Sequence, residues 1–195
     1  MNAALETLKT AAGDLVREVP ALRDFAEWPE AAPPRPCEPL AIPGIALLQA
    51  MSARTSTRTA PVVRAVKAAA PHAHWQQTYT EAEVGRDFLN RYGWFEIVGP
   101  GGHFGSHATR AYLAWWGAGL HNPVHLHEAE ELYYILAGAA EFHTEGQPSA
   151  VIGPEGTRHH APLQPHAMDT HDEPVLALVL WRGPGLAGAP RMGTS

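Results

Sequence analysis

From Pro71 onward the chain breaks into short segments of strand-like composition, separated by glycine, proline and polar turns. Residues 75–79, 94–98, 110–116, 121–127, 132–136, 140–144, 149–152, 157–161, 167–170 and 175–181 all read as strands, at a spacing of about 8 to 12 residues. So many short strands restrict the chain to an antiparallel sandwich or a closed barrel. The last segment, Val175-Leu-Ala-Leu-Val-Leu-Trp181, is apolar at every position, which predicts a strand buried on both faces. The first 70 residues differ. Ala4, Leu5, Leu8, Ala11, Ala12, Leu15 and Val16 recur at helical spacing over residues 2–18. Pro20 ends that helix or opens a second one over 21–28, further short helices are expected at 45–53 and 61–70, and Thr80 is placed to cap a helical turn through Gly85. Between them, Pro29, Pro33, Pro34, Pro36, Pro39 and Pro43 mark a connector. The division expected is a helical segment with its connector over 1–70, a β-barrel over 71–183 and a flexible tail over 184–195. The stripe on the first helix must pack on the barrel or on a partner chain, so a homodimer is compatible with the pattern.

Within the strand-rich part, residues 121–138 hold the densest chemistry. His125 and His127 are two apart, so on an extended strand both side chains point to one face. Glu131 follows after a short polar turn, and the apolar strand resumes at Leu132. Two imidazoles and a carboxylate give most of a metal site, and the donor set suits one divalent ion: zinc, iron, manganese, cobalt or nickel. A solvated polar turn would explain one histidine, but not two on one face with a carboxylate at fixed offset. The chain has 12 histidines, eight of them between His121 and His171, so a further ligand has several sources downstream.

Composition narrows the partners. The net charge is −6 with 17% charged residues and no basic run, which gives no nucleic-acid footprint. Cys37 is the single cysteine, so no intrachain disulfide can form. The N-terminal stretch carries acids and lacks the apolar run of a signal peptide, and no segment reaches the roughly 18 apolar residues of a membrane span. A cytoplasmic protein acting on a small molecule is the expectation.

The H-x-H-x-x-x-E pattern resembles the first metal motif of the cupin superfamily. The turn Gly153-Pro-Glu-Gly156, followed by His159, His160 and Pro165-His-Ala-Met168, resembles the second. That resemblance implies a mainly β fold, the cupin double-stranded β-helix or jelly-roll barrel, with the helical segment in front. It makes His166 the fourth ligand, with His159 and His160 as rivals closer to the glycine turn. The combination of Trp94-Phe-Glu, Ala111-Tyr-Leu-Ala-Trp-Trp-Gly117, His127-Glu-Ala-Glu-Glu-Leu-Tyr133 and Pro165-His-Ala-Met168 is more specific. It is similar to the cupin-type dimethylsulfoniopropionate (DMSP) lyases of the DddQ type, over residues 70–183.

Carried over by position, the family's metal ligands fall on His125, His127, Glu131 and His166, and its catalytic tyrosine falls on Tyr133. Some members place a further tyrosine just before the first metal histidine. Here residues 120–124 read Leu-His-Asn-Pro-Val, which leaves His121 or Asn122 to line the pocket. The implied substrate is a zwitterionic sulfonium carboxylate, split by β-elimination into dimethyl sulfide and acrylate. A sulfonium cation is drawn to aromatic faces, for which Trp115, Trp116, Trp181 and Tyr79 are the candidates. Two other readings use the same ligands: another cupin metalloenzyme, such as an iron dioxygenase or isomerase, and a non-catalytic cupin that binds a small molecule.

Overall fold

The computed structural model describes residues 2–193. Four helices come first: α1 (Ala3–Glu18), α2 (Pro20–Phe25), α3 (Ile45–Ala50) and α4 (Ala60–Ala69). Asn2 caps α1 by accepting the Ala4 N–H at 2.9 Å, and Pro20 opens α2 where its missing N–H costs nothing. A fifth helix, α5 (Glu81–Asn90), leads into the strands β1 (Tyr92–Gly99), β2 (Phe104–Gly105), β3 (Arg110–Trp116), β4 (His121–Leu126), β5 (Glu130–Gly138), β6 (Ala140–Thr144), β7 (Ala150–Ile152), β8 (Thr157–His160), β9 (His166–Asp169), β10 (Val175–Arg182) and β11 (Arg191–Met192). They form a six-stranded sheet in the order β2-β1-β3-β10-β5-β8 and a five-stranded sheet in the order β11-β4-β9-β6-β7. The mainly β architecture with helices in front is the one the sequence implies. No helix among the described residues is long and apolar enough to cross a membrane.

The six-stranded sheet is buried on both sides, and its alternation sorts the core into two layers. Leu113 and Trp115 of β3, Tyr134 and Leu136 of β5, and Leu176, Leu178 and Leu180 of β10 face the helices. There they meet Leu8, Leu15, Leu22, Val62 and Val66. Tyr112, Ala114 and Trp116, Tyr133 and Ile135, and Ala177, Val179 and Trp181 face inward, against Phe142 and Met168 of the second sheet. This explains why residues 175–181 are apolar throughout. The stripe on α1 is covered by the sheet and by α4, so the helical segment shares a core with the barrel. Gly138 ends β5 at φ +72°, where an added Cβ would lie 1.6 Å from the Pro174 carbonyl oxygen; only glycine fits.

Three expectations are corrected. Residues 75–79 do not form a strand, and their backbone pairs with β1 through the Gln76–Trp94 bridge alone among the described residues. The segment is pinned by side chains instead: Trp75 donates to the Ala70 carbonyl at 2.8 Å, and Gln77 to those of Leu89 and Tyr92. The helical turn expected to stop at residue 85 continues to Asn90 through a kink at Gly85. The tail is not free up to residue 193. Gly183 and Gly185, both at positive φ, turn the chain back, and β11 pairs with β4, placing Met192 opposite His125. The last two residues of that tail lie outside the described ones.

Leu8 is fully buried between α1 and the rest of the helix layer. Leu8→Ala should lower unfolding free energy by about 2–5 kcal/mol in urea titration, in one transition. A change confined to helix signal, with the barrel melting as before, would show that the two layers fold separately.

Candidate metal centre

Glu131 lies on β5 directly opposite Trp181 of β10 and His160 of β8. On the facing sheet, His125 of β4 pairs with His166 of β9. His127 follows in the turn after β4. All four predicted ligands are buried, Glu131 to 1% exposure. The ligand atoms of His127, Glu131 and His166 lie within 4.8 Å of one another. His125 stands beside this group, its ring centroid 4.2 Å from that of His166.

The tautomers are set by backbone. His125 donates from Nδ1 to the Pro123 carbonyl at 2.8 Å, His127 to that of Ala129 at 2.9 Å, and His166 to that of Gln164 at 2.8 Å. In the neutral ring each Nε2 therefore carries the lone pair, which is how a metal-ligating imidazole is usually oriented. The Nε2 atoms of His127 and His166 are buried with no hydrogen-bond partner, and each lies 3.2 Å from Glu131 Oε2. Two orphaned lone pairs beside a carboxylate oxygen are costly as they stand and fit a cation that all three would share.

The rivals to His166 have other partners. His159 points outward to Glu130 at 2.7 Å. His160 is buried and stacks on His166, but both nitrogens are engaged: Nδ1 with Glu131 Oε2 at 2.8 Å and Nε2 with Thr144 Oγ1 at 3.2 Å.

Electrostatics follow the same contacts. Burial, then the charge of His166, lowers His125 to about 3. Burial lowers His160 to about 4 against its hydrogen bond to Glu131. For Glu131 burial works toward the neutral acid, but the charge of His127 and the hydrogen bond from His160 outweigh it and hold the carboxyl well below its usual range. His127 moves the other way: burial opposes its charge, yet Glu131 raises it. Burial and the Glu131 charge push the Tyr133 phenol well above its usual value.

Beside the ligands lies a cavity of about 30 Å³, lined by Tyr79, Tyr92, Trp94, Arg110, Tyr112, Trp116, Asn122, Tyr133, Trp181 and Pro190 as well as His125 and Glu131. It brings together Tyr79, Trp181 and Tyr133 of the expected set. Trp115 is not there; it faces the helices, and its neighbour Trp116 takes the inward position. His121 is also outside, bonded to Asp169 at 2.7 Å on the exposed face, while Asn122 is the inward residue. The cause is a bulge. Between Asn122 and His125, β4 carries one residue more than β9, beside Pro123, which has no N–H for the ladder. By simple alternation His121 and His125 would share a face; the extra residue turns them to opposite ones.

The sequence matches the dimethylsulfoniopropionate lyase family over residues 38–177, most of the chain. The DMSP lyase DddQ of Ruegeria pomeroyi is 42% identical over 164 residues, 84% of this chain and 82% of that protein. The chain belongs to the DMSP lyase family. Its crystallised relatives agree. The DddQ structure from Ruegeria pomeroyi superposes with a TM-score of 0.94 at 39% identity, covering 98% of this chain and 97% of that one. A chain among the crystal structures of the DMSP lyases RdDddP and RnDddQII gives 0.96 at 45% identity, with 98% of both covered.

Seen as a DMSP lyase, the chain has a pocket residue that alternation alone did not single out. Arg110 is buried, pairs with Glu96 at 2.8 Å and donates to the carbonyls of Leu186 and Gly188, so it ties the C-terminal segment across the cavity. A lone carboxylate in the apolar run Trp94-Phe-Glu-Ile-Val98 was the available signal: a charge there needs a buried partner.

Glu131 raises His127, so at pH 6, below the ordinary histidine value, its ring is protonated in the metal-free protein, and an ion arriving at Nε2 must displace that proton. Calorimetric zinc titration in buffers of differing ionisation heat should show proton release near pH 6 that falls toward zero as pH rises through the raised His127 value. His125, held neutral, should contribute none. Zero release near pH 6 would contradict this coupling.

Proposed function

We propose that this protein cleaves dimethylsulfoniopropionate to dimethyl sulfide and acrylate, with His125, His127, Glu131 and His166 holding one divalent ion and Tyr133 acting as base. The observation that carries the reading is the pair of orphaned Nε2 atoms at Glu131 Oε2, at the edge of a cavity lined by a tyrosine with an uncommitted hydroxyl, in a chain of the DMSP lyase family. Zinc, iron, manganese, cobalt and nickel all suit the donor set. A bound dication would neutralise the substrate carboxylate, favour the ene-diolate that forms as the α-proton leaves, and draw the Tyr133 phenol back toward a usable range.

Two tyrosines lie near the carboxylate, and geometry separates them. Tyr112 donates its hydroxyl to Glu131 Oε1 at 2.8 Å. The Tyr133 hydroxyl has no protein partner among the described residues and its ring lines the cavity. With its own proton already lost to solvent, Tyr133 Oη as phenolate takes the proton from the carbon next to the carboxylate and becomes the neutral phenol. The C–H electron pair becomes the new C=C bond, and the C–S pair leaves on sulfur as neutral dimethyl sulfide, which needs no acid.

The sulfonium end needs aromatic faces, and the cavity offers two groups. Arg110 already covers Trp181 at 4.8 Å, Trp94 at 5.3 Å and Tyr112 at 5.7 Å. Tyr79, Tyr92, Trp116 and Tyr133 form the other run, with neighbouring centroids 5.4–6.3 Å apart. The substrate cation is assigned to this second run. A 30 Å³ cavity holds no more than a few waters, so entry requires lining side chains to shift, and the closed form keeps bulk water from the reacting carbon.

Headspace analysis of metal-loaded protein should detect dimethyl sulfide from the substrate. In Tyr133→Phe the ring still packs and the metal stays, yet turnover should fall by about two orders of magnitude or more, the scale of a lost general base. If Tyr133 served only the core, the change would cost about 1 kcal/mol of stability and activity would persist.

A further inference from the structure

Glu131 presents two oxygens to different surroundings. Oε1 accepts the Tyr112 hydroxyl at 2.8 Å and the Trp181 Nε1–H at 2.7 Å. Oε2 takes His160 Nδ1 at 2.8 Å from one side and faces the orphaned Nε2 atoms of His127 and His166 on the other, while Oε1 meets no histidine among the described residues. A carboxylate can grip a dication through one oxygen or through both, and the two modes differ in coordination number and in the positions left open for substrate. Both donors sit on the oxygen turned away from the histidines.

The geometry points to Tyr112 and Trp181 as positioning residues that hold Glu131 to one-oxygen ligation through Oε2. The inference rests on the metal reading above and adds to it the device that sets the binding mode. It also moves Trp181 from substrate contact to support. Its N–H is committed to Glu131, its ring stacks on His127 at 4.2 Å and 28°, and Arg110 lies over it. The donors come from two different strands. Trp181 is the direct cross-strand partner of Glu131 on β10. Tyr112 is on β3, beyond β10, and faces Val179, which is itself opposite Tyr133. The phenol therefore reaches diagonally across β10, past one small side chain, to the carboxylate. Oxygen Oε1 is thereby capped from both sides by rigid aromatic donors, and swinging it toward the histidine nitrogens would break both bonds.

The test uses the full-length protein with Zn²⁺ in chelator competition and Co²⁺ as spectroscopic probe. Tyr112→Phe and Trp181→Phe should each weaken Zn²⁺ binding by about 10- to 100-fold, the usual effect of removing such a support. The Co²⁺ absorption should change in intensity, as the freed Oε1 raises the coordination number. Tyr134→Phe, which removes a hydroxyl on the helix-facing side of the same strand, should leave both readouts at the wild-type value. A plain packing role would lower melting temperature without moving affinity or spectrum. Unchanged affinity and an unchanged Co²⁺ spectrum in Tyr112→Phe would overturn the inference, whether or not turnover falls. Should Trp181→Phe fail to fold, Tyr112→Phe decides alone, since it removes a single oxygen. Wild-type protein that takes up neither ion overturns the metal reading and this inference with it. Wild type that binds, beside variants that bind equally well, overturns only this one.

Discussion

A carboxylate taken out of water costs several kcal/mol unless its charge is met by fixed partners, and Glu131 is buried to 1% exposure. Its partners come from across the barrel: Tyr112 on β3, Trp181 on β10, His160 on β8, His166 on β9, and His127 after β4. Losing any one of these strands from its place would strand the charge. The closing of the two sheets and the satisfaction of Glu131 are therefore a single requirement. The same contacts hold the side chain ionised against a burial that favours its neutral form.

Register is what meets this requirement. Arg110, Trp181, Glu131 and His160 lie in one row across β3, β10, β5 and β8, all facing inward. A slip of one residue on β10 would present Leu180 or Arg182 to Glu131 and turn Trp181 toward the helices. The helix layer makes such a slip costly, because Leu176, Leu178 and Leu180 are buried against α-helical side chains on the outer face. The N-terminal segment thus acts on the site at a distance, by fixing which face of the sheet looks in.

The grouping of His127 with Glu131 was legible in local spacing, and His166 joined it through the resemblance of Pro165-His-Ala-Met168 to a second cupin motif. The fold class was legible for a related reason: short apolar strands between turns leave few architectures. What escaped was relative parity. Nothing in Ala111-Tyr-Leu-Ala-Trp-Trp-Gly117 says which tryptophan looks inward; pairing with β10 decides it for Trp116. His121 was misplaced because a bulge beside Pro123 reverses the alternation between it and His125. The tail looked free because Gly183 to Gly193 has no periodicity, yet carbonyls of Leu186 and Gly188 find Arg110, a residue more than 70 positions away. Long-range hydrogen bonds to backbone leave no trace in composition.

The charge pattern of the cavity argues for a zwitterion in a further way. A buried guanidinium near the substrate would repel a sulfonium, and Arg110 lines this pocket. Glu96 neutralises it through Nε at 2.8 Å, and Glu96 in turn accepts the Gly101 N–H at 2.8 Å. The pair therefore leaves the aromatic end of the cavity close to neutral, where ring faces can attract a cation without a competing field. The histidine–carboxylate group borders the same cavity, and a dication there would leave a net positive charge that suits the substrate's carboxylate. Neutral aromatic faces beside a cationic site match a molecule that carries its own positive charge at one end and its negative charge at the other. An uncharged substrate would gain nothing from this polarity, and a simple dicarboxylate would find no partner at the aromatic end.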